Sequence, residues 1–413
     1  MKLVFINQYF PPDVAPTGLM LEDVAAQLTE QGHEVTVICA RGGYAESSSN
    51  VTSDDEKHYR VVRIGATGIG RKTFLGKLVD YAGFYLGVAW QLFFLNPRAD
   101  RIIALTTPPF LSILARLVSR IRGGDHAHWV MDLYPDVMVA HGMIREGGMP
   151  HRVLSSLTRW GFGGERSAGV WSLGPDMKQR VDFYLENHTY AEWIPLWGAE
   201  GQPEQIDKSA KELRDKRGWT DEDLVLMYSG NLGLGHRFSE VLTVVSSQDL
   251  SGEGKTLRVS FHGSGKRRVE VEQFIESHPS TPVELHGYED GTLLRAHLRS
   301  ADLHLVSLNP TWDGTMVPSK LQGIFAVGRP VIFIGSEDCA IGQWIKESGG
   351  GWVITLNDVD GLRQVLREAG NENERKIRGE AALRFSSETF SKDTNLQRYS
   401  CGFSRDTRIS AEK

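Results

Sequence analysis

Ser319 and Lys320 stand where a proline-containing loop meets an apolar helical pattern, in the stretch GTMVPSKLQGIFAVGRPVIFIG from Gly314 to Gly335. An apolar run from Leu321 to Val327, a Gly-Arg-Pro break and a β-branched run from Val331 to Ile334 follow. That order predicts loop, short helix, turn and buried strand. A hydroxyl and a lysine at a helix start suit an anion, because free N–H groups and the positive end of the helix dipole gather there. A second cluster, YSGNLGLGHRF from Tyr228 to Phe238, offers the same chemistry. Gly230 and Gly233 allow close backbone approach to an anion, Asn231 can donate or accept, and Arg237 carries a bidentate guanidinium. Taken singly, Asn231 is a turn former and Arg237 a solvated helix-end charge. Together with Ser319 and Lys320 they point to a diphosphate.

A nicotinamide dinucleotide is the rival ligand. It needs GxGxxG directly after a strand. The first strand pattern, KLVFIN, is followed instead by NQYFPPDVAPTG. The spacing of GNLGLGH fails, and HGSGKRR at 262–268 lacks the third glycine and the spacing of a P-loop. No Ser/His/Asp or Cys/His arrangement is visible.

The elements that must position these residues alternate. In the first half, strand patterns KLVFIN, HEVTVIC, YRVVRIG, RIIALT, HAHWVMDL and SAGVWSLG are separated by helical patterns at Leu19–Gln31, Phe110–Ile121, Val153–Gly163 and Pro175–Asn187. Around Trp197 the chain turns polar and charged, as a linker and surface helix. Alternation then restarts with DLVLMYSG, TLRVSFHG, PVELHG, ADLHLVSL, the opening stretch and GGWVIT, with helices expected from Arg237, Val269 and Gly291 and a final helix after GGWVIT. Such alternation means βαβ units and doubly wound parallel sheets. The expected organisation is an α/β chain with Rossmann-like domains at 1–198 and 199–385 facing a cleft, and a tail at 386–413 returning toward the first domain.

A chain of 413 residues exceeds one ordinary core. The formal net charge of −6 argues against a nucleic-acid partner, whose affinity would rest on phosphate neutralisation. Cys39, Cys339 and Cys401 lie far apart without a CxxC pair, so neither a disulfide framework nor a structural zinc is expected. The N-terminus lacks a signal-peptide pattern, and a cytoplasmic location is expected. The segment Phe74 to Leu95, FLGKLVDYAGFYLGVAWQLFFL, is nearly long enough to span a bilayer, but Lys77 and Asp80 interrupt it. It is either a buried helix or an interfacial one, with Arg71, Lys72 and Lys77 near lipid headgroups. A membrane contact through residues 71–95 would make the protein peripheral on the inner face of the plasma membrane.

The tandem halves, with NQYFPPDVAPTG, LTTPPF, MDLYPD, YSGNLGLGHRFSEVL, FHGSG, ELHGY and VPSKLQGIFAVGRPVI, resemble a GT-B glycosyltransferase of family 4, closest to bacterial amino-sugar transferases of O-antigen and capsule assembly. The resemblance implies transfer of a sugar, hexosyl or N-acetylhexosaminyl, from a nucleotide diphosphate to a glycan or polyprenyl-linked acceptor. It implies retention at the anomeric carbon, no bound metal and no cofactor. Asp54-Asp55 lies in a polar stretch and is solvated charge rather than a DxD motif.

Carried over by position, the resemblance puts Asn231 where the family has a diphosphate-gripping Arg, and Arg237 at or beside the family's Lys, with His236 the adjacent candidate. Lys320 is expected to replace the charge that Asn231 lacks. The family's two Glu positions fall on Thr315 and Gly323, so both carboxylates are missing. Asp313, the nearest remaining carboxylate, is a candidate for the donor sugar or a turn residue. Gly18 is expected to let the backbone approach the diphosphate, with Gly263 and Val317 on the donor side and Gly287 and Tyr288 beside the base. Asp132, at the end of HAHWVMDL, is the candidate to orient or deprotonate the acceptor hydroxyl; otherwise it is a turn or helix cap. His126 and His128 on the same strand are alternatives, or buried and satisfied. Two other readings are a non-hydrolysing nucleotide-sugar epimerase and a degenerate, non-catalytic GT-B scaffold.

Overall fold

The computed structural model describes residues 1–13, 15–41, 58–65, 74–95, 98–186, 188–198, 203–247 and 255–405. The chain forms two compact units. Unit 1 comprises Met1–Ile194, Gly314–Met316 and Asp393–Lys413; unit 2 comprises Pro195–Asp313 and Val317–Lys392.

Unit 1 contains β1 (Lys2–Ile6), α1 (Pro16–Glu30), β2 (Glu34–Ala40), β3 (Arg60–Ile64), α2 (Phe74–Trp90), β4 (Arg101–Ala104), α3 (Leu111–Arg122), β5 (Asp125–Trp129), α4 (Asp136–Ala140), α5 (Met149–Phe162), β6 (Ser167–Ser172), α6 (Pro175–Asp182) and β7 (Ala191–Trp193). The described strands form one parallel sheet in the order β3-β2-β1-β4-β5-β6-β7. Central strands such as β1 are apolar and buried after their first residue, here Leu3–Ile6, as in a parallel sheet covered on both faces. β5 ends at Trp129, four residues before the strand pattern does, and Asp132 instead makes an isolated antiparallel bridge to Met316.

Unit 2 contains α7 (Pro203–Arg217), β8 (Asp223–Ser229), α8 (Ser239–Ser246), β9 (Thr256–His262), α9 (Arg268–Ser277), β10 (Val283–His286), α10 (Leu294–Ser300), β11 (Leu303–Ser307), α11 (Lys320–Ala326), β12 (Val331–Ile334), α12 (Ala340–Ser348), β13 (Gly351–Ile354), α13 (Val359–Gly370) and α14 (Glu372–Glu388). Its described strands also run parallel, in the order β10-β9-β8-β11-β12-β13. In each sheet the order reverses between the first strand and the fourth, β1/β4 and β8/β11. Ligands of open α/β sheets bind outside the carboxyl ends at that point.

The last helix, α15 (Lys392–Ser404), lies within the C-terminal stretch 386–413. It belongs to unit 1, where Tyr399 packs on Trp129 with ring centroids 4.5 Å apart and Phe403 packs on Trp171 at 5.0 Å. Buried Arg101 closes its end, donating to the carbonyls of Phe403 and Arg405 at 2.7 Å each. Those carbonyls have no intrahelical partner, and the helix dipole favours a cation there.

α2 is apolar on both sides. Phe84, Val88 and Leu92 are buried, while Leu86, Trp90 and Phe94 are 73, 56 and 69% exposed. The buried-helix expectation therefore holds for one face only. Arg71 and Lys72 lie outside the described residues, as do Asp54 and Asp55. Among the described residues, no helix is long and apolar enough to cross a membrane.

Candidate functional site

Three loops of unit 2 leave the sheet side by side, because Ser229, His262 and His286 end their strands in register. Their glycines serve contacts between protein segments. Gly230 has φ +130, and a Cβ there would lie 2.7 Å from Lys320 Cε. Gly263 has φ +132, and its Cβ would lie 2.0 Å from the Gly230 carbonyl. They let one loop nest on the next and let the lysine side chain pass. Gly18 is explained in the same way. A Cβ there would stand 3.0 Å from the Tyr9 carbonyl, so the residue serves the packing of α1 on its own preceding loop.

Lys320 is the centre of the arrangement. Its Nζ lies 3.1 Å from His236 Nε2 and 4.9 Å from the Tyr228 ring centroid. His236 Nδ1 lies 2.6 Å from the Ser307 carbonyl. A carbonyl only accepts, so Nδ1 carries the proton and Nε2 accepts from the ammonium. Burial, with the Lys320 charge beside it, pushes His236 down to about 3, which keeps the ring neutral. Burial lowers Lys320 itself to about 7. Among the described residues no carboxylate pairs with it. An aligned, partly desolvated cation without a counter-ion is a receptor for an anion.

This has a measurable consequence. A diphosphate binds the ammonium form and raises its pKa. Affinity for a diphosphate is thus expected to be full below about pH 7 and to fall, by as much as about tenfold per pH unit, above it. Calorimetry near pH 8 in buffers of different ionisation enthalpy should register uptake approaching one proton, and Lys320→Met should abolish that uptake.

Asn231, exposed, folds back over the glycines, with Nδ2 placed 3.1 Å from where a Gly233 Cβ would be. Ser319 is exposed and its hydroxyl caps nothing. α11 has only seven residues, so the lysine rather than a long helix dipole supplies the charge. Tyr288 is 60% exposed, and its hydroxyl donates to the Ser264 carbonyl at 3.3 Å, which lays the ring by the Gly263–Gly265 turn. No atom lies within 4 Å of where a Gly287 Cβ would be.

Arg237 does not join this group. Its guanidinium is held by Glu240 at 2.9 Å and Asn357 at 3.0 Å, so its charge is already spent on a buried carboxylate. The neighbouring His236 takes the inward position. Val317 is buried, and Asp313 closes the turn Pro310–Trp312, whose Trp312 packs on Gly235. Thr315 belongs to unit 1: its carbonyl accepts from Leu133 N at 2.8 Å. At Gly323 a Cβ would meet Leu298 at 3.3 Å. The sequence reading passed over Arg267, whose charge also acts on His236 and whose guanidinium is paired with Glu270 at 2.7 Å. The basic run KRR after the second glycine turn was its signal.

In unit 1, Asp132 lines a pocket with Thr106, His128, Tyr134 and Thr158. Its backbone N–H donates to Thr106 Oγ1 at 3.2 Å. Burial raises its carboxyl to about 6. That places a carboxylate near neutrality, as a general base requires. It caps no helix: α4 starts at Asp136 behind Pro135. His126 and His128 are buried and neutral, each facing a backbone carbonyl, of Gly163 at 3.2 Å and of Gly161 at 2.9 Å. Among the described residues, no group of three or more His, Cys, Asp or Glu could hold a metal ion.

No family model matches the chain. It is 22% identical to WcaI of Escherichia coli (strain K12), named as a colanic acid biosynthesis glycosyl transferase, over 89% of this chain and 92% of that protein. WaaG, a glycosyltransferase involved in lipopolysaccharide biosynthesis, superposes with TM-score 0.67 at 18% identity, covering 98% of this chain and 100% of WaaG. HepE of Anabaena, solved in complex with UDP, superposes with TM-score 0.67 at 13% identity over 97% of this chain and 98% of that one. The fold is GT-B, and the chain resembles bacterial transferases of surface polysaccharides.

Proposed function

We propose that this glycosyltransferase moves a sugar from a nucleotide diphosphate, a UDP-sugar foremost, to a glycan or polyprenyl-linked acceptor in cell-surface polysaccharide synthesis, with retention and without a metal. The observation that carries the reading is Lys320: an uncompensated cation, aligned by a neutral imidazole, on loops at the β8/β11 switch point. Departure of UDP builds charge on the diphosphate, and a fixed cation lowers that barrier most. Unit 2 is the donor unit, with Lys320, Asn231 and Ser319 at the phosphates and Tyr288 offering an open ring face to the base. Unit 1 is the acceptor unit. The C1–O bond to the β-phosphate breaks, and the acceptor oxygen bonds to C1 on the same face. The acceptor's proton passes to Asp132. Purified protein incubated with UDP- and GDP-sugars and a polyprenyl-diphosphate sugar should release UDP and extend the acceptor. Failure to bind UDP or turn over any donor would leave a non-catalytic scaffold as the better account.

The apolar outer face of α2 supports work at the membrane's cytoplasmic face. Leu86 and Trp90 stand four residues apart on one side of α2, and exposed Phe94 follows in the π-helical turn Gln91–Leu95. Replacing Leu86 and Trp90 with Ser is expected to weaken partition onto lipid vesicles by about tenfold or more, given roughly 1.5–3 kcal/mol per fully buried large side chain. UDP affinity should not move. Flotation of wild type and variant checks both.

A further inference from the structure

A second polar recess lies at the opposite edge of the unit 1 sheet from Asp132. It is lined by Arg116, Ser119, Arg120, His126, Glu165 and Arg166, with Gly164. β5 starts at Asp125 and β6 at Ser167, so His126 and the 163–166 loop stand at the amino ends of these strands, whereas Asp132 follows the carboxyl end of β5. Three guanidinium groups line it, against the carboxylate of Glu165 in the lining and that of Glu186, which accepts from Gly164 N at 3.3 Å. Arg116 is fixed: it stacks on Trp160 at 4.6 Å from the ring centroid and donates to the Trp160 carbonyl. Gly164, at φ +97, makes room for it, since a Cβ would lie 2.6 Å from Arg116 Nη2. The Arg120 charge works against that of Arg116, and Glu186 works in its favour. Arg120 and Arg166 are exposed, and among the described residues neither pairs with a carboxylate. Arg166 has one weak contact, to the Gly124 carbonyl at 3.5 Å.

His126 is the second, independent sign. It is 1% exposed, yet its Nδ1 is buried without a partner. Nε2 faces the Gly163 carbonyl and carries the proton, so Nδ1 presents a lone pair. A buried acceptor left unfilled is unfavourable, and such atoms are normally satisfied.

We propose that this recess binds a hydroxylated phosphate ester, its phosphate gripped by Arg116, Arg120 and Arg166 and its hydroxyl donating to His126 Nδ1. Glu165 leaves the recess cationic while barring more highly charged anions. The ester's source is either a glycerophospholipid headgroup or a soluble polyol phosphate. The assignment goes beyond the donor reading and does not depend on it.

The test uses the full chain, the double variant Arg120→Ala/Arg166→Ala, and a charge-matched control, Arg145→Ala/Arg152→Ala on exposed positions away from the recess. Flotation is measured on phosphatidylcholine vesicles with and without phosphatidylglycerol, and calorimetry with glycerol 3-phosphate. The gain from phosphatidylglycerol should drop about tenfold or more in the recess variant and much less in the control, if the source is lipid. Loss of glycerol 3-phosphate binding instead identifies the soluble source. A thermal melt equal to wild type shows that the variant is folded, and unchanged UDP affinity keeps this result separate from the donor site. Wild-type binding of neither ligand, unchanged binding by the variant, or an equal loss in the control overturns the proposal.

Discussion

Lys320→Met is expected to weaken UDP binding by about ten- to a hundredfold, the worth of roughly 1.5–3 kcal/mol for a hydrogen bond to a charged group. Turnover should fall further, by about 10²–10³, because the lost charge matters most as the diphosphate leaves. Methionine keeps the length and apolar stem while removing the ammonium. The variant should not be less stable. Lys320 titrates near 7 in the folded chain, against 10.5 when unhindered. Between those values the unfolded chain binds the extra proton, so this residue's contribution to stability rises with pH and is unfavourable at and below neutrality. Removing it should leave Tm unchanged or raise it, the pattern of a residue kept for function. Calorimetry and a thermal melt decide. A wild-type Kd in a folded Lys320→Met protein ends the diphosphate assignment.

Asp132→Asn is expected to lower kcat by about 10²–10⁴, the usual range for a lost general base, and to leave UDP affinity alone. The wild-type carboxyl, raised to about 6 by burial, must be ionised to take a proton. Rate should therefore climb as pH rises through about 6, while the free-enzyme Lys320 limb brings kcat/KM down above about 7. In Asp132→Asn the acidic limb should vanish and the alkaline limb remain. The pH dependence of stability is opposite to that of the lysine. A folded pKa above the unfolded value means that this residue stabilises below about 4 and that the contribution is lost as pH rises through about 6. The amide should thus be neutral or mildly stabilising at pH 7. Undiminished transfer by this variant would send the acceptor's proton to the leaving phosphate instead.

Much of the fold was legible because parallel strands buried on both faces are continuous apolar runs, as in KLVFI and VIFI. Short or polar elements were not. β7 is three residues, Ala-Glu-Trp, on a sheet edge, and α4 is five residues behind a proline, too brief to show a period. Ser319-Lys320 and Gly230 stood out from residue type alone, and the structure brings Gly230 against the Lys320 side chain. The choice between His236 and Arg237 was not, since one residue's difference in the turn decides which side chain points inward, and that depends on Glu240 and Asn357 offering the arginine a better partner. The pairing of 132–133 with 315–316 was invisible for a related reason: it joins positions far apart in the chain, 132–133 read as the end of the strand pattern HAHWVMDL, and 315–316 have no strand pattern of their own.

The return of α15 to unit 1 has a consequence for synthesis. Trp129, Trp171 and Arg101 wait for side chains and carbonyls more than two hundred residues downstream. As the chain leaves the ribosome, the unit begun first is the one completed last, and unit 2 has all its strands before unit 1 is sealed. A stop codon after α14 would therefore damage the acceptor half, opening its aromatic core, while sparing the donor half. Residues 195–392, by contrast, form the segment to express alone.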